Sequence, residues 1–211
     1  MSVQGRTHAV LGACAAVPIA ILMGGGLALW VCAAAGAFSG LLPDIDHPGS
    51  TLGRWVPWPA VAVENHRTGF VAHGRRWFGG RTVWHRHETH SVGAAGIAAL
   101  LALGVTCWPL ARLADWAGHH GAHLPVAPGI AGLEGAAGIA ATVLVGYLSH
   151  LIADMANPSP QMLLWPFSRR MVHPKWAPAI REASSAGRWI EHGAALVAIL
   201  AAVAVWGGRP V

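Results

Sequence analysis

The sequence predicts an all-α, polytopic membrane protein of about five helices, with two long loops that carry a metal site. Three observations point there. Of 211 residues, 54% are hydrophobic and only 11% are charged, against about 25% charged in an ordinary soluble domain. The apolar residues gather into long runs separated by polar stretches. Of the 14 Lys and Arg, all but Arg112 and Arg209 fall at Arg6 or in the two polar loops, which the positive-inside rule places in the cytoplasm. The length suits one membrane-embedded domain, residues 1–211. A net charge of +5 and a pI near 10.1 suit the same reading, because the basic residues lie between apolar runs. No nucleic-acid partner is therefore expected. Cys14, Cys32 and Cys107 are isolated, so neither a disulfide nor a zinc–thiolate site is expected.

Residues 1–8 are polar. Ala9 to Leu42 is almost wholly apolar, broken by Gly24-Gly25-Gly26. As one helix this run would be about 51 Å long, too long for a ~30 Å hydrocarbon core. The reading is a hairpin turning at the glycines, with two helices of roughly 15 residues, short or only partly inserted. A long polar loop, residues 43–91, opens with Pro43-Asp44-Ile45-Asp46-His47-Pro48. Trp55 and Trp58 within it suit the headgroup level. It closes with His85-Arg86-His87-Glu88-Thr89-His90-Ser91, where Thr89 or Ser91 can cap the helix that follows. That third helix runs from Val92 to Ala114, with a kink expected at Pro109. Residues 115–129 read as a loop in which His119, His120 and His123 form a polar turn. A fourth helix, Ile130 to Ala153, is rich in Gly and Ala, which permits close packing in lipid. Residues 155–189 form the second long loop, with Trp165-Pro166-Phe167 and Arg169-Arg170. A fifth helix is expected from Ile190 to Trp206, opening with Glu191 and His192.

Helices alternating across a bilayer bring the start of each odd helix and the end of each even helix to one face. His8 begins the first helix, and Asp44 and Asp46 follow the second. His85 and His90 precede the third, His150 and Asp154 end the fourth, and Glu191 opens the fifth. All therefore collect at one membrane face, and the basic residues make that face cytoplasmic. Imidazoles and carboxylates without thiolate suit a divalent cation such as zinc, manganese or iron. His150 and Asp154 are four apart and share a helical stripe. The candidates exceed the three or four protein ligands of one zinc, which points to two ions, or to one ion with a general base beside it. Asp46 or Glu191 is the candidate base. Arg86 is the candidate for neutralising charge on a phosphoryl oxygen, with Arg169 or Arg170 as a second.

His8, Leu42-Pro43-Asp44-Ile45-Asp46-His47-Pro48-x-Ser50, His85-Arg86-x-x-Thr89-His90-Ser91, Gly146-Tyr147-Leu148-Ser149-His150-x-x-x-Asp154 and Leu164-Trp165-Pro166 occur in that order. Together they resemble the YdjM-like family of bacterial inner-membrane proteins. Those are described as metal-dependent hydrolases, some under LexA control. The resemblance spans most of the chain and implies His8, Asp44, His47, His85, His90, His150 and Asp154 as metal ligands. His87 and Glu88 depart from it, since the family usually has glycine and an apolar or aromatic residue there. More distantly, the His/Asp arrangement is similar to zinc-dependent phospholipase C and P1-type nucleases.

The expectation is a metal-dependent hydrolase of the bacterial inner membrane, acting through metal-activated water on a phosphoester or phospholipid-type substrate. Its arginine-rich face would attract anionic headgroups. A non-enzymatic membrane protein with a structural metal is the first alternative, separated by whether an open coordination position exists. A transporter is the second. Against it, the polar residues sit at one membrane edge, not at mid-span. Substrate and oligomeric state are not written in the sequence.

Overall fold

The computed structural model describes residues 3–46, 50–55, 88–120, 132–156 and 160–173, together with Trp189, His192, Gly193 and Leu196. The described part is helical: α1 (Val3–Leu22), α2 (Leu27–Ser39), a 3-10 helix (Leu42–Asp46), α3 (Thr51–Trp55), α4 (Val92–His120) and α5 (Gly132–Met155). The expected fifth membrane helix, residues 190–206, lies outside the described residues except for His192, Gly193 and Leu196. Three helices, over Gly5–Leu22, Val92–Pro109 and Gly132–Met155, are long and apolar enough to cross a membrane.

The glycine hairpin is present. Gly24, Gly25 and Gly26 take φ of 97°, 66° and 60°, the left-handed region where a side chain is penalised and glycine is not. The chain reverses there, and α1 packs along α2. The helices are unequal, however. α1 starts at Val3, not Ala9, and its 20 residues span about 30 Å, enough to cross. It can begin in polar sequence because Thr7 and His8 are buried inside the protein while Arg6 is exposed. α2, with 13 residues, is the short helix expected.

α4 corrects a boundary. It continues through Pro109 to His120, so residues 115–120, expected as loop, are helical. An interior proline removes one backbone hydrogen bond and more often kinks a helix than ends it. Thr106 turns its hydroxyl back to the Ala102 carbonyl at 2.7 Å, and Arg112 lies 5.5 Å over the Trp108 ring one turn away. His119 is thus an exposed helical residue, not part of a turn. Leu100, Leu101, Val105 and Trp108 on this helix face outward, as a lipid-facing surface would.

α5 is the hub, packing against α1, α2 and α4. Small residues set how closely it approaches. A Cβ on Gly36 would collide with the Gly12 carbonyl, and one on Gly146 would collide with Ser39 Oγ and stand 2.7 Å from the Gly36 carbonyl oxygen. The backbones of α1, α2 and α5 therefore touch at Gly12, Gly36 and Gly146, as small residues allow in lipid. On the other side of α5, Ala95, Tyr147 and Leu151 form a buried cluster with Leu42, Leu144 and Leu163 around it.

Candidate metal centre

The glycine crossing positions the site. His8 is four residues before Gly12, Gly40 four after Gly36, and His150 four after Gly146. One helical turn, about 5.4 Å, thus carries each strand of the crossing into the same polar centre. Asp154 follows one turn further along α5, and the 3-10 helix after Gly40 supplies Asp44. His90 arrives from the opposite side, just before α4.

These residues meet. His90 Nε2 lies 3.4 Å from Asp44 Oδ1 and 3.4 Å from Asp154 Oδ2. His150 Nε2 lies 3.6 Å from Asp44 Oδ1, 3.5 Å from Asp154 Oδ2 and 3.3 Å from His90 Nε2. Donors arranged tetrahedrally about zinc at ~2.0–2.2 Å stand roughly 3.3–3.6 Å apart. The five separations from the two imidazoles match such edges. His8 is on the far side of Asp154. Its Nε2 is 3.6 Å from Oδ1, the other carboxylate oxygen, and its ring stacks on His150 with centroids 3.7 Å apart. The nearest ligand atoms of His8, Asp44 and His150 lie within 4.8 Å of one another, as do those of His90, His150 and Asp154.

The hydrogen bonds around the centre decide which atoms face inward. His150 Nδ1 is 2.7 Å from the Gly40 carbonyl oxygen. A carbonyl only accepts, so Nδ1 carries the proton and donates it. In the neutral ring Nε2 is then a lone pair, and it points at two carboxylate oxygens and a second imidazole nitrogen. Such a group repels itself unless a cation or an added proton lies within it. Burial sharpens the problem: His90, His150 and Asp154 are at most 1% exposed, where an uncompensated charge is costly. A divalent ion fits this donor set. His90 Nδ1 is 3.2 Å from Thr89 Oγ1, so with Nε2 facing the centre it donates to that hydroxyl. The Thr89 carbonyl in turn accepts from Tyr147 OH at 2.5 Å. Ser91 is the cap of α4, its Oγ accepting from the Ala94 amide at 3.1 Å.

Of the residues expected at the site, the structure brings together His8, Asp44, His90, His150 and Asp154. Asp46 ends the 3-10 helix, two residues beyond Asp44. His47, His85, Arg86, His87 and Glu191 lie outside the described residues. Arg169 and Arg170 are exposed on the loop that follows α5. Sequence reading missed the Gly40 carbonyl and the orienting part played by Thr89 and Tyr147. The signal for the latter was their position, one residue before His90 and three before His150. The Gly40 carbonyl, a backbone group, leaves no such signal.

A model of the YdjM inner membrane protein family matches residues 3–210. Curated relatives are the inner membrane protein YdjM of Escherichia coli (strain K12) and that of Shigella flexneri, each 34% identical over 126 residues. The alignments cover 60% of this chain and 44% of each relative, so the chain spans less than half the length of the curated relatives it matches. No solved structure matches the chain.

Proposed function

The chain belongs to the YdjM inner membrane protein family, and on that premise we propose that it is a membrane-embedded metal-dependent hydrolase acting on a phosphoester of the phospholipid type. The observation that carries the reading is the convergence of His90 Nε2, His150 Nε2, Asp44 Oδ1 and Asp154 Oδ2 at 3.3–3.6 Å. Zinc is favoured, with manganese and iron as alternatives, in one or two ions. When bound, the ion supplies Lewis acidity toward water and toward a phosphoryl oxygen. The protein's own groups do the rest. Gly40 and Thr89 hold the two imidazoles in the tautomer that presents Nε2 inward. His8 holds Asp154 from its far oxygen, keeping the near one directed at the centre. Asp44, whose side chain is 16% exposed against 0–3% for the others, marks the side on which water and substrate approach. Asp46, next along the chain, is assigned as the group that accepts the proton of the attacking water. We place this face on the cytoplasmic side, from the distribution of Arg and Lys. Phosphodiesters are ranked first among substrates because the arginine-rich face would attract anionic headgroups.

A second reading is favoured by a specific feature of the same centre: protein donors are numerous enough to fill the four positions of a closed structural site. The experiment separates the two. Wild type and Asp46→Asn, purified in detergent with equal metal content, are assayed against phosphodiester and phospholipid substrates. The hydrolase reading expects metal-dependent turnover that falls roughly 10²-fold or more in Asp46→Asn. A metal-replete wild type that turns over no substrate and unfolds on chelation establishes the structural role instead.

A further inference from the structure

The segment after α5 is built in an unusual way for a loop. Gln161 and Val172 pair through two backbone hydrogen bonds of 3.0 and 2.8 Å, closing its base. Its inner side is bonded to the start of α4, just after His90, and to α5. The Val92 and Gly93 amides at the start of α4 donate to the carbonyls of Leu163 and Trp165 at 2.9 and 3.1 Å. The Gln161 side-chain amide donates to the Leu151 carbonyl of α5 at 2.9 Å. Gly93 has no room for a side chain, since a Cβ there would collide with the Trp165 carbonyl oxygen. Met162 is buried inside.

The outer side of this anchored loop is the reverse. A turn closed by the Ser168 amide on the Leu164 carbonyl at 3.0 Å pushes Phe167 out to 91% exposure and Leu164 to 47%. Arg169 and Arg170 follow at once, both exposed. Water gives no reason to hold a phenyl ring that far out on a fixed turn. The position of the loop gives one: it docks where the apolar span of α4 begins at Val92 and where that of α5 ends at Met155, which is the headgroup level of a bilayer. Aromatic rings favour that level, and adjacent guanidinium groups match phosphate in charge and in fork geometry.

We propose that the Leu164–Arg170 turn is a binding surface for an anionic phospholipid of the surrounding leaflet. Arg169 and Arg170 pair with its phosphate, and Leu164 and Phe167 rest beside its glycerol and the first methylenes of its acyl chains. The proposal needs the membrane placement of the helices and not hydrolysis, so it goes beyond the enzymatic reading and stands apart from it.

Wild type, Arg169→Gln/Arg170→Gln and Phe167→Ser, purified in detergent, are offered phosphatidylglycerol or phosphatidylcholine, and lipid retained per chain is measured by native mass spectrometry. Metal content and melting temperature are recorded alongside. Wild type should retain phosphatidylglycerol in preference. The double arginine variant should lose roughly 30-fold in relative affinity for it, two cations' worth of surface attraction, with fold and metal content unchanged. Phe167→Ser should weaken both lipids alike. The proposal is overturned if wild type shows no preference between the two lipids, or if the double variant keeps the preference. It is also overturned if inorganic phosphate displaces phosphatidylglycerol as readily as the lipid itself, which would mean a site for a soluble anion. A wild type without metal, yet with the lipid preference, refutes the hydrolase reading alone.

Discussion

His150 gives its Nδ1 proton to the carbonyl of Gly40, 2.7 Å away, across the junction of α5 and α2. That one bond fixes the tautomer of the most central ligand candidate. It also ties the ring to the backbone of a different helix, so the direction of Nε2 is set by helix packing and not by side-chain rotamer alone. His90 has a weaker counterpart in Thr89 Oγ1 at 3.2 Å.

Thr89 can be varied where the Gly40 carbonyl cannot. Groups that orient a metal-bound imidazole typically contribute 10–100-fold in metal affinity. Thr89→Val should therefore weaken metal binding about 10-fold or more, measured by competition with a chromophoric chelator, with little change in melting temperature of the metal-depleted protein. Thr89→Ser, which keeps the hydroxyl, should restore most of the affinity. Equal affinity in Val and Ser variants would remove Thr89 from the account.

Gly146 tests whether the crossing beneath the site holds it together. A Cβ there meets Ser39 Oγ, which can rotate aside, and the Gly36 backbone, which cannot retreat without moving α2. Overpacking of this kind costs about 1–3 kcal/mol. Gly146→Ala should lower the thermal midpoint in detergent and reduce metal affinity together, since α5 carries His150 and Asp154. Gly104→Ala on α4, where a Cβ meets nothing within 4 Å, should leave both unchanged.

Much of this architecture was legible in the chain. The glycine run announced the hairpin because three consecutive glycines interrupt an apolar run too long for one span. The i,i+4 spacing of His150 and Asp154 was sufficient to put them on one stripe, and helix alternation sufficed to bring His8, Asp44 and His90 to the same end. What was not legible has physical causes. The helix was expected to start only at His8, because burial of Thr7 and His8 against other helices leaves no local pattern. Pro109 suggested a weakened helix, and nothing in the sequence around His119 shows that the helix runs on. Gly12, Gly36 and Gly146 read only as small residues. That they share one contact point, a turn below the centre, is a matter of register between helices distant in sequence.

Orientation in the bilayer is predicted from the distribution of Arg and Lys. With the native cysteines replaced, Phe167→Cys on the loop after α5 should react with a membrane-impermeant thiol reagent only from the cytoplasmic side. Leu133→Cys, 66% exposed at the other end of α5, should react only from the periplasmic side. Reaction of both positions from one side would mean that α5 does not cross, and the reverse pattern would move the centre to the outer face.

The central claim is that the His90, His150, Asp44 and Asp154 donors surround a cation, and metal stoichiometry tests it most directly. Wild type purified without added metal or chelator, analysed by inductively coupled plasma mass spectrometry, should carry at least one zinc, manganese or iron ion per chain. His150→Ala and Asp154→Ala should each abolish it. A folded wild type that contains no such ion, and takes up none when zinc, manganese or iron is supplied, would contradict the account.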